Sequence, residues 1–168
     1  MKKKTGKKIK LRDIIENEIK ENGLRNGFPK SFDSHIKQLK IKKILNHKDF
    51  TDIPFVTIDG QDSKDFDDAV WSETKKGTTR IMIAISDVSF FIEKNDPLDV
   101  EAKKRGNSFY FPDRVIPMFP NEISNDICSL IPNKERASVV IEIKIKNFMV
   151  ISFKIHRAKI ISVARLTY

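Results

Sequence analysis

Apolar residues recur along this chain in two periods. Leu11, Ile14, Ile15 and Ile19 fall at helical spacing and Gly23 follows as a stop, so a first helix is expected there. Asn26-Gly27-Phe28-Pro29 reads as a turn or extended connector. A second helix is expected to begin near Ser31–Ser34, with Ile36, Leu39 and Ile44 on one face and lysines on the other. Thr51-Asp52-Ile53-Pro54 leads out of it, and the period then shortens. Phe55-Val56-Thr57-Ile58 is apolar and β-branched and predicts a buried strand. Arg80–Ser86 is nearly continuous apolar, the pattern of a strand buried on both faces. Val139–Lys146 alternates, with Ile141, Ile143 and Ile145 on the face expected to be buried. Val150–Ile161 reads as its antiparallel neighbour across Asn147-Phe148-Met149, with Ile151, Phe153 and Ile155 sharing a face.

Punctuation between these stretches is local. Glu73–Thr79 with Gly77 predicts a hairpin turn. Asp96-Pro97 predicts a helix start, with Asp as cap and Pro in the first turn, and Gly106 predicts its end. Asn107–Asn121 places Phe109, Tyr110, Phe111 and Phe119 among three prolines and reads as an aromatic loop without regular structure. Ile123–Leu130 suits a short helical segment.

The densest chemistry lies in Asp59–Asp68, where five of ten residues are aspartate: Asp59, Asp62, Asp65, Asp67 and Asp68. Apolar Phe55–Ile58 precedes this run and Ala69-Val70-Trp71 follows it. Carboxylates held this close between buried segments repel one another and resist burial. Hard divalent cations remove that penalty, because they prefer oxygen ligands. The pattern points to a magnesium or manganese site at a strand end. A solvated acidic loop is the other reading the residues leave open. A calcium EF-hand fails on spacing: from Asp59, positions three and five are Gln61 and Ser63, and from Asp65 the required Gly is Val70.

Charge divides the chain. Residues 1–50 hold 15 Lys/Arg against 6 Asp/Glu, whereas residues 51–168 hold 17 of each, so the net +9 lies ahead of the aspartates. A basic arm beside a balanced domain suits a polyanion partner, most simply nucleic acid. Residues 1–8 are expected to be a disordered, solubilising lysine run. No apolar run follows them, so neither a signal peptide nor a membrane span is expected. The single cysteine, Cys128, allows no internal disulfide and suits a reducing cytoplasm.

Several motifs in order carry a resemblance. Thr57-Ile58-Asp59-Gly60 with Asp65-Phe66-Asp67-Asp68, then Ile83–Val88, Arg105–Pro112, Ile116–Pro120, Ser124-Asn125-Asp126, Cys128-Ser129-Leu130 and Ala164–Tyr168 resemble the ribonuclease II/ribonuclease R (RNB) family of exoribonucleases. Residues 51–168 follow that pattern well, and residues 12–50 loosely resemble the connector that precedes it in the ribonuclease R branch. The resemblance implies magnesium-dependent 3′→5′ hydrolysis of single-stranded RNA to nucleoside 5′-monophosphates, in the cytoplasm. It implies that Asp59, Asp65, Asp67 and Asp68 hold metal, with Asp67 the most sensitive catalytic carboxylate and Asp62 a bystander. It implies that Tyr110 packs against the last nucleotide. Arg105, Arg114 and parts of the basic arm are candidate phosphate contacts.

The implied architecture is mixed α/β (α+β): a curled sheet core with flanking helices over residues 51–168, preceded by a basic helical connector over residues 1–50. The resemblance also implies a catalytic domain about twice as long, with an assisting arginine and a nucleotide-clamping glutamate beyond Tyr168. The chain is thus expected to be the first part of that domain, with an open sheet edge. A non-catalytic RNA-binding remnant, or a magnesium phosphohydrolase acting on nucleotides, are the alternative functions. Asp87 is expected to be structural, Asp126 to cap a turn, Cys128 to fill the core and Phe90-Phe91 to pack inside. His35, His47 and His156 lack metal-ligand spacing.

Overall fold

The computed structural model describes residues 10–40 and 42–168. The lysine run at residues 1–8 lies outside the described residues. Strands β1 (Lys48–Asp49), β2 (Phe55–Asp59), β3 (Asp68–Lys75), β4 (Thr78–Ser86), β7 (Glu135–Lys146) and β8 (Met149–Thr167) form one six-stranded mixed sheet. A separate two-stranded hairpin pairs β5 (Phe109–Tyr110) with β6 (Val115–Ile116). Helices α1 (Leu11–Glu21), α2 (Phe32–Lys40), α3 (Val88–Phe91) and α4 (Pro97–Arg105) and a π-helical turn at Ile123–Ile127 complete the fold. No helix among the described residues is long and apolar enough to cross a membrane.

The sheet closes through β8, the longest strand. From Met149 to Ile161 it pairs antiparallel with β7, starting at a turn where Asn147 and Phe148 both take positive φ. From Ser162 to Thr167 it runs parallel to β2. β2, β3, β4, β7 and β8 therefore form a ring, with β1 added on β8. Register shifts at Lys144/Ile145 and Phe55/Val56 relieve the ladder where the sheet bends. The ring closes, but part of the open edge expected from the sequence remains: between Met149 and Arg157, β8 pairs among the described residues with β7 alone.

The inner face of the ring is the tighter core. Phe55, Met82, Ala84, Val140, Ala158 and Ile160 are completely buried there. Opposite them, the outer face is covered only at one end, where Ala137 packs under Phe32, Ile36 and Leu39 of α2 with Phe91, Leu98 and Ile123. Further along, Ile85, Phe153 and Ile155 are exposed and Ile81, Ile83, Ile141, Ile143 and Ile145 half-buried. Two expectations are corrected here. Only Met82 and Ala84 of β4 are buried, and in β7 Ser138 and Val140 are fully buried in opposite phase to the isoleucines, whose own face is buried only at Ala137, under the helices. Alternation reports which residues share a face, while burial depends on what covers that face.

The signals at both ends of α4 hold, whereas Ile44, expected on the face of the second helix, lies outside α2. Asp96 caps α4 by accepting from the Leu98 N–H at 2.8 Å, and Gly106 ends it at φ 75°. The aromatic stretch is not all loop, since it contains the β5–β6 hairpin. Asp126 is an ion-pair hub for Lys40, Lys134 and Arg136, where a turn cap was expected. Cys128 is buried as expected, and burial pushes its thiol up to about 12. Each histidine has a carboxylate neighbour: Asp96 for His35, Asp87 for His47 and Glu142 for His156.

Asp87 is structural. It is 2% exposed and accepts from the Phe90 N–H, the Ser89 hydroxyl and the Arg157 guanidinium. Burial alone would raise its pKa, but the Ser89 and Arg157 hydrogen bonds outweigh it and hold the carboxyl below its usual range. A depressed folded-state pKa contributes stability above the unfolded value, and that stability is lost as pH falls through the depressed one. Asp87→Asn is expected to destabilise by about 1.5–3 kcal/mol at neutral pH and to flatten the acid limb of the stability curve; denaturant melts across pH check both. Met82→Ala should cost about 2–5 kcal/mol, whereas Phe153→Ser on the outer face should stay within about 0.5 kcal/mol. Equal losses from the two substitutions would contradict the inner-core assignment.

Candidate active site

Asp59 ends β2 and Asp68 begins β3, so the acidic loop reverses the chain at one end of the ring. Phe66 anchors that loop. Its ring lies in the inner core, and its backbone is bonded at both polar groups. The Phe66 N–H donates to the Ser129 hydroxyl at 3.0 Å, and its carbonyl accepts from the Leu130 N–H at 2.8 Å. Ser129 in turn donates to the Lys64 carbonyl at 2.9 Å, and the Ser86 N–H holds the Asp67 carbonyl at 2.8 Å. Phe66 and Ala69 face inward, while Asp67 and Asp68 between them are exposed and Asp65 is half-buried. The apolar residues thus hold the acidic ones at the surface.

The carboxylates are short of positive partners. Among the described residues, none of Asp59, Asp65, Asp67 and Asp68 forms an ion pair with Lys, Arg or His. Burial, then the charges of Asp67 and Asp65, push the Asp59 carboxyl up, and the Arg165 guanidinium offsets part of that. Burial, then Asp67 and Asp59, push Asp68 up. Oδ2 of Asp59 is buried and accepts no hydrogen bond. An orphaned buried carboxylate oxygen amid like charges is the donor set a hard cation would satisfy. Among the described residues, no three Asp, Glu, His or Cys side chains stand together as a ready cage.

Tyr110 reaches this cluster from the β5–β6 hairpin. Its hydroxyl donates to Oδ2 of Asp65 at 2.8 Å, and the side chain is otherwise largely exposed. That hydrogen bond, then burial and the nearby carboxylates, raise the phenol pKa and keep it protonated. The hairpin is braced from behind: Ile116, Phe109 and Phe111 pack on Ile15 and Ile19 of α1, and Arg114 pairs with Glu16 at 2.8 Å. A cleft of about 540 Å³ opens between loop and hairpin, lined by Asp65, Tyr110, Ser108, Asn121, Ser124 and Asn125.

Sequence reasoning placed all four metal-candidate aspartates in one loop and named Tyr110 as a nucleotide-packing residue, and the structure brings these five residues together. It missed Ser108, Asn121, Ser124 and Asn125 as cleft lining, although Ser108, Ser124 and Asn125 lie inside the motifs that carry the resemblance. Arg105 is corrected from candidate phosphate contact to structural residue. Its side chain is 3% exposed, paired with Glu101, bonded to the carbonyls of Arg25, Gly27 and Pro117, and stacked on Phe28. Arg114 is likewise engaged by Glu16 and Asp113.

Comparison with known proteins agrees with this geometry. The RNB domain family matches residues 47–168. Ribonuclease R of Escherichia coli K12 is 47% identical over 122 residues, covering 71% of this chain and 15% of that protein. The structure of Mycoplasma genitalium RNase R in complex with ribose-methylated single-stranded RNA superposes with a TM-score of 0.88 at 32% identity, over 94% of this chain and 26% of that one. Yeast Ssd1, a pseudonuclease, shares the fold alone, at a TM-score of 0.66 and 18% identity. The chain therefore spans a minor part of the length of its relatives. The acidic loop, the ordered motifs that follow it and the closed sheet beneath it all fall within the matched residues, and the chain belongs to the RNB-domain family.

Proposed function

We propose that this chain carries the metal-binding portion of a 3′→5′ exoribonuclease that hydrolyses single-stranded RNA to nucleoside 5′-monophosphates. One observation supports the reading above the others: four aspartates, none of them in an ion pair among the described residues, cluster at one end of the ring, and an exposed tyrosine bonds one of them, Asp65, where both line an open cleft. The shared fold alone would not do so, since a pseudonuclease has it too. The M. genitalium relatives were solved with single-stranded and with double-stranded RNA, which favours RNA as the polymer. In this reading residues 1–50 form the basic arm and residues 51–168 the first part of the catalytic unit, working in the cytoplasm.

Asp59, Asp65, Asp67 and Asp68 would hold magnesium, with manganese able to substitute. Bound there, a divalent ion would activate water and offset charge on the scissile phosphate. The protein's own contribution is placement. Phe66 and Ser129 hold the loop that carries the carboxylates. Tyr110 offers a ring face on which the terminal nucleotide can stack, a contact worth about 1–3 kcal/mol with little sequence preference. Its hydroxyl bond to Asp65 holds the ring beside the acidic loop. The main competing reading is RNA binding without cleavage.

Two experiments decide between these readings. On 5′-labelled single-stranded RNA, Asp67→Asn is expected to lower hydrolysis by about 10²-fold or more while leaving salt-sensitive RNA binding intact. A wild-type chain that binds RNA but produces no ladder in magnesium would favour the non-catalytic reading. The second experiment concerns Asp59. Its raised folded-state pKa means that the metal-free fold gains stability as pH falls through that pKa toward the unfolded value, and is strained above it. Asp59→Asn should therefore melt higher than wild type at neutral pH in chelator, yet gain less on adding magnesium. Melting curves in both conditions read the two signs separately.

A further inference from the structure

The geometry points to Arg165 as a positioning residue that clasps the acidic loop in its metal-binding shape; this rests on the metal-site reading above. Arg165 lies on the parallel stretch of β8, in register with Thr57 of β2, one strand away from the loop. Its Nη2 donates to the carbonyl of Gly60 at 3.0 Å and to the carbonyl of Gln61. The guanidinium also lies 5.1 Å from the centre of the Phe66 ring. One side chain thus ties the beginning of the loop to its end, while Ser129 and Leu130 hold the far side of Phe66. Asp62 and Asp65 lie within the tied segment, and Asp59, Asp67 and Asp68 flank it. Arg165 forms no ion pair with any carboxylate among the described residues. Its hydrogen bonds go to backbone carbonyls.

Two roles for this guanidinium predict opposite signs. A positive charge beside Asp59 competes with a cation for the same carboxylates, so if charge were its whole role, removing it would tighten metal binding. A clasp that keeps the loop ordered reduces the entropy lost when the carboxylates converge, so removing it would weaken metal binding. The two bonded carbonyls and the packing on Phe66 favour the clasp. Arg165 is exposed, so its replacement leaves no hole in the core.

The test uses the full chain with Mn²⁺ alone as probe, following free Mn²⁺ by electron paramagnetic resonance. Asp67→Asn serves as control for the site, and amide hydrogen exchange at Ser63 and Phe66 reports on the loop without metal. Arg165→Met keeps the stem and removes both charge and donors. It is expected to weaken Mn²⁺ binding about tenfold, in the range of residues that orient metal ligands, and to speed exchange at Ser63, whose N–H bonds the Gly60 carbonyl. Arg165→Lys restores a nitrogen that can reach the carbonyls and should recover most of both effects. Equal or tighter Mn²⁺ binding by Arg165→Met, with loop exchange unchanged, would overturn the clasp. If wild type and Asp67→Asn bind Mn²⁺ alike, the metal-site reading fails. Exchange at Ser63 then still decides whether Arg165 orders the loop, and no change there overturns the proposal.

Discussion

Strand β8 has two neighbours on opposite demands, and the rest of the architecture follows from that. Its first part must stay antiparallel to β7 to complete the hairpin, while its last six residues must lie parallel to β2. Both hold only if the sheet curls round on itself. Local relief comes from the register shifts at Lys144/Ile145 and Phe55/Val56, and the native twist of strands supplies the direction. Closure places the end of β8 against the end of β2, and hence Arg165 against the loop that Asp59 begins. It also makes the interior of the ring the place where side chains disappear completely.

The acidic loop exists because stronger forces than its own repulsion hold it. Burial raises the cost of ionising Asp59 and Asp68, and the neighbouring aspartate charges raise it further. Against this stand a buried phenylalanine, a serine bridging two backbone groups and an arginine on two carbonyls. None of these supports bonds a carboxylate, which leaves the aspartate oxygens available to a ligand. Stability given up at a functional site is here supported by the surrounding core.

The outer face of the sheet is a different case. Isoleucines and Phe153 line it, yet the helices α2, α3 and α4 cover only the end near Ala137. A face so apolar would ordinarily lie in a core. The polar inner end of the ring is self-sufficient by contrast: Glu142 accepts from Arg80 at 2.7 Å and meets His156 at 3.1 Å, and these bonds outweigh burial to keep its carboxyl low.

What the sequence determined by itself was local and chemical. Asp96-Pro97 and Gly106 bounded a helix, Gly77 marked a turn, and the aspartates between Phe55–Ile58 and Ala69–Trp71 marked a dense acidic loop at a strand end. Caps, turns and acidic clusters act within a few residues, so a short window contains their cause. Only the tertiary structure decided that β8 closes the ring, that Val140 and not Ile141 is fully buried, and that Arg105 is structural. It alone set Tyr110 against Asp65, 45 residues earlier, and Arg165 against Gly60, 105 residues earlier. Such contacts depend on which strands pair and which faces are covered, and alternation in one strand is the same whichever side the rest of the molecule comes to occupy.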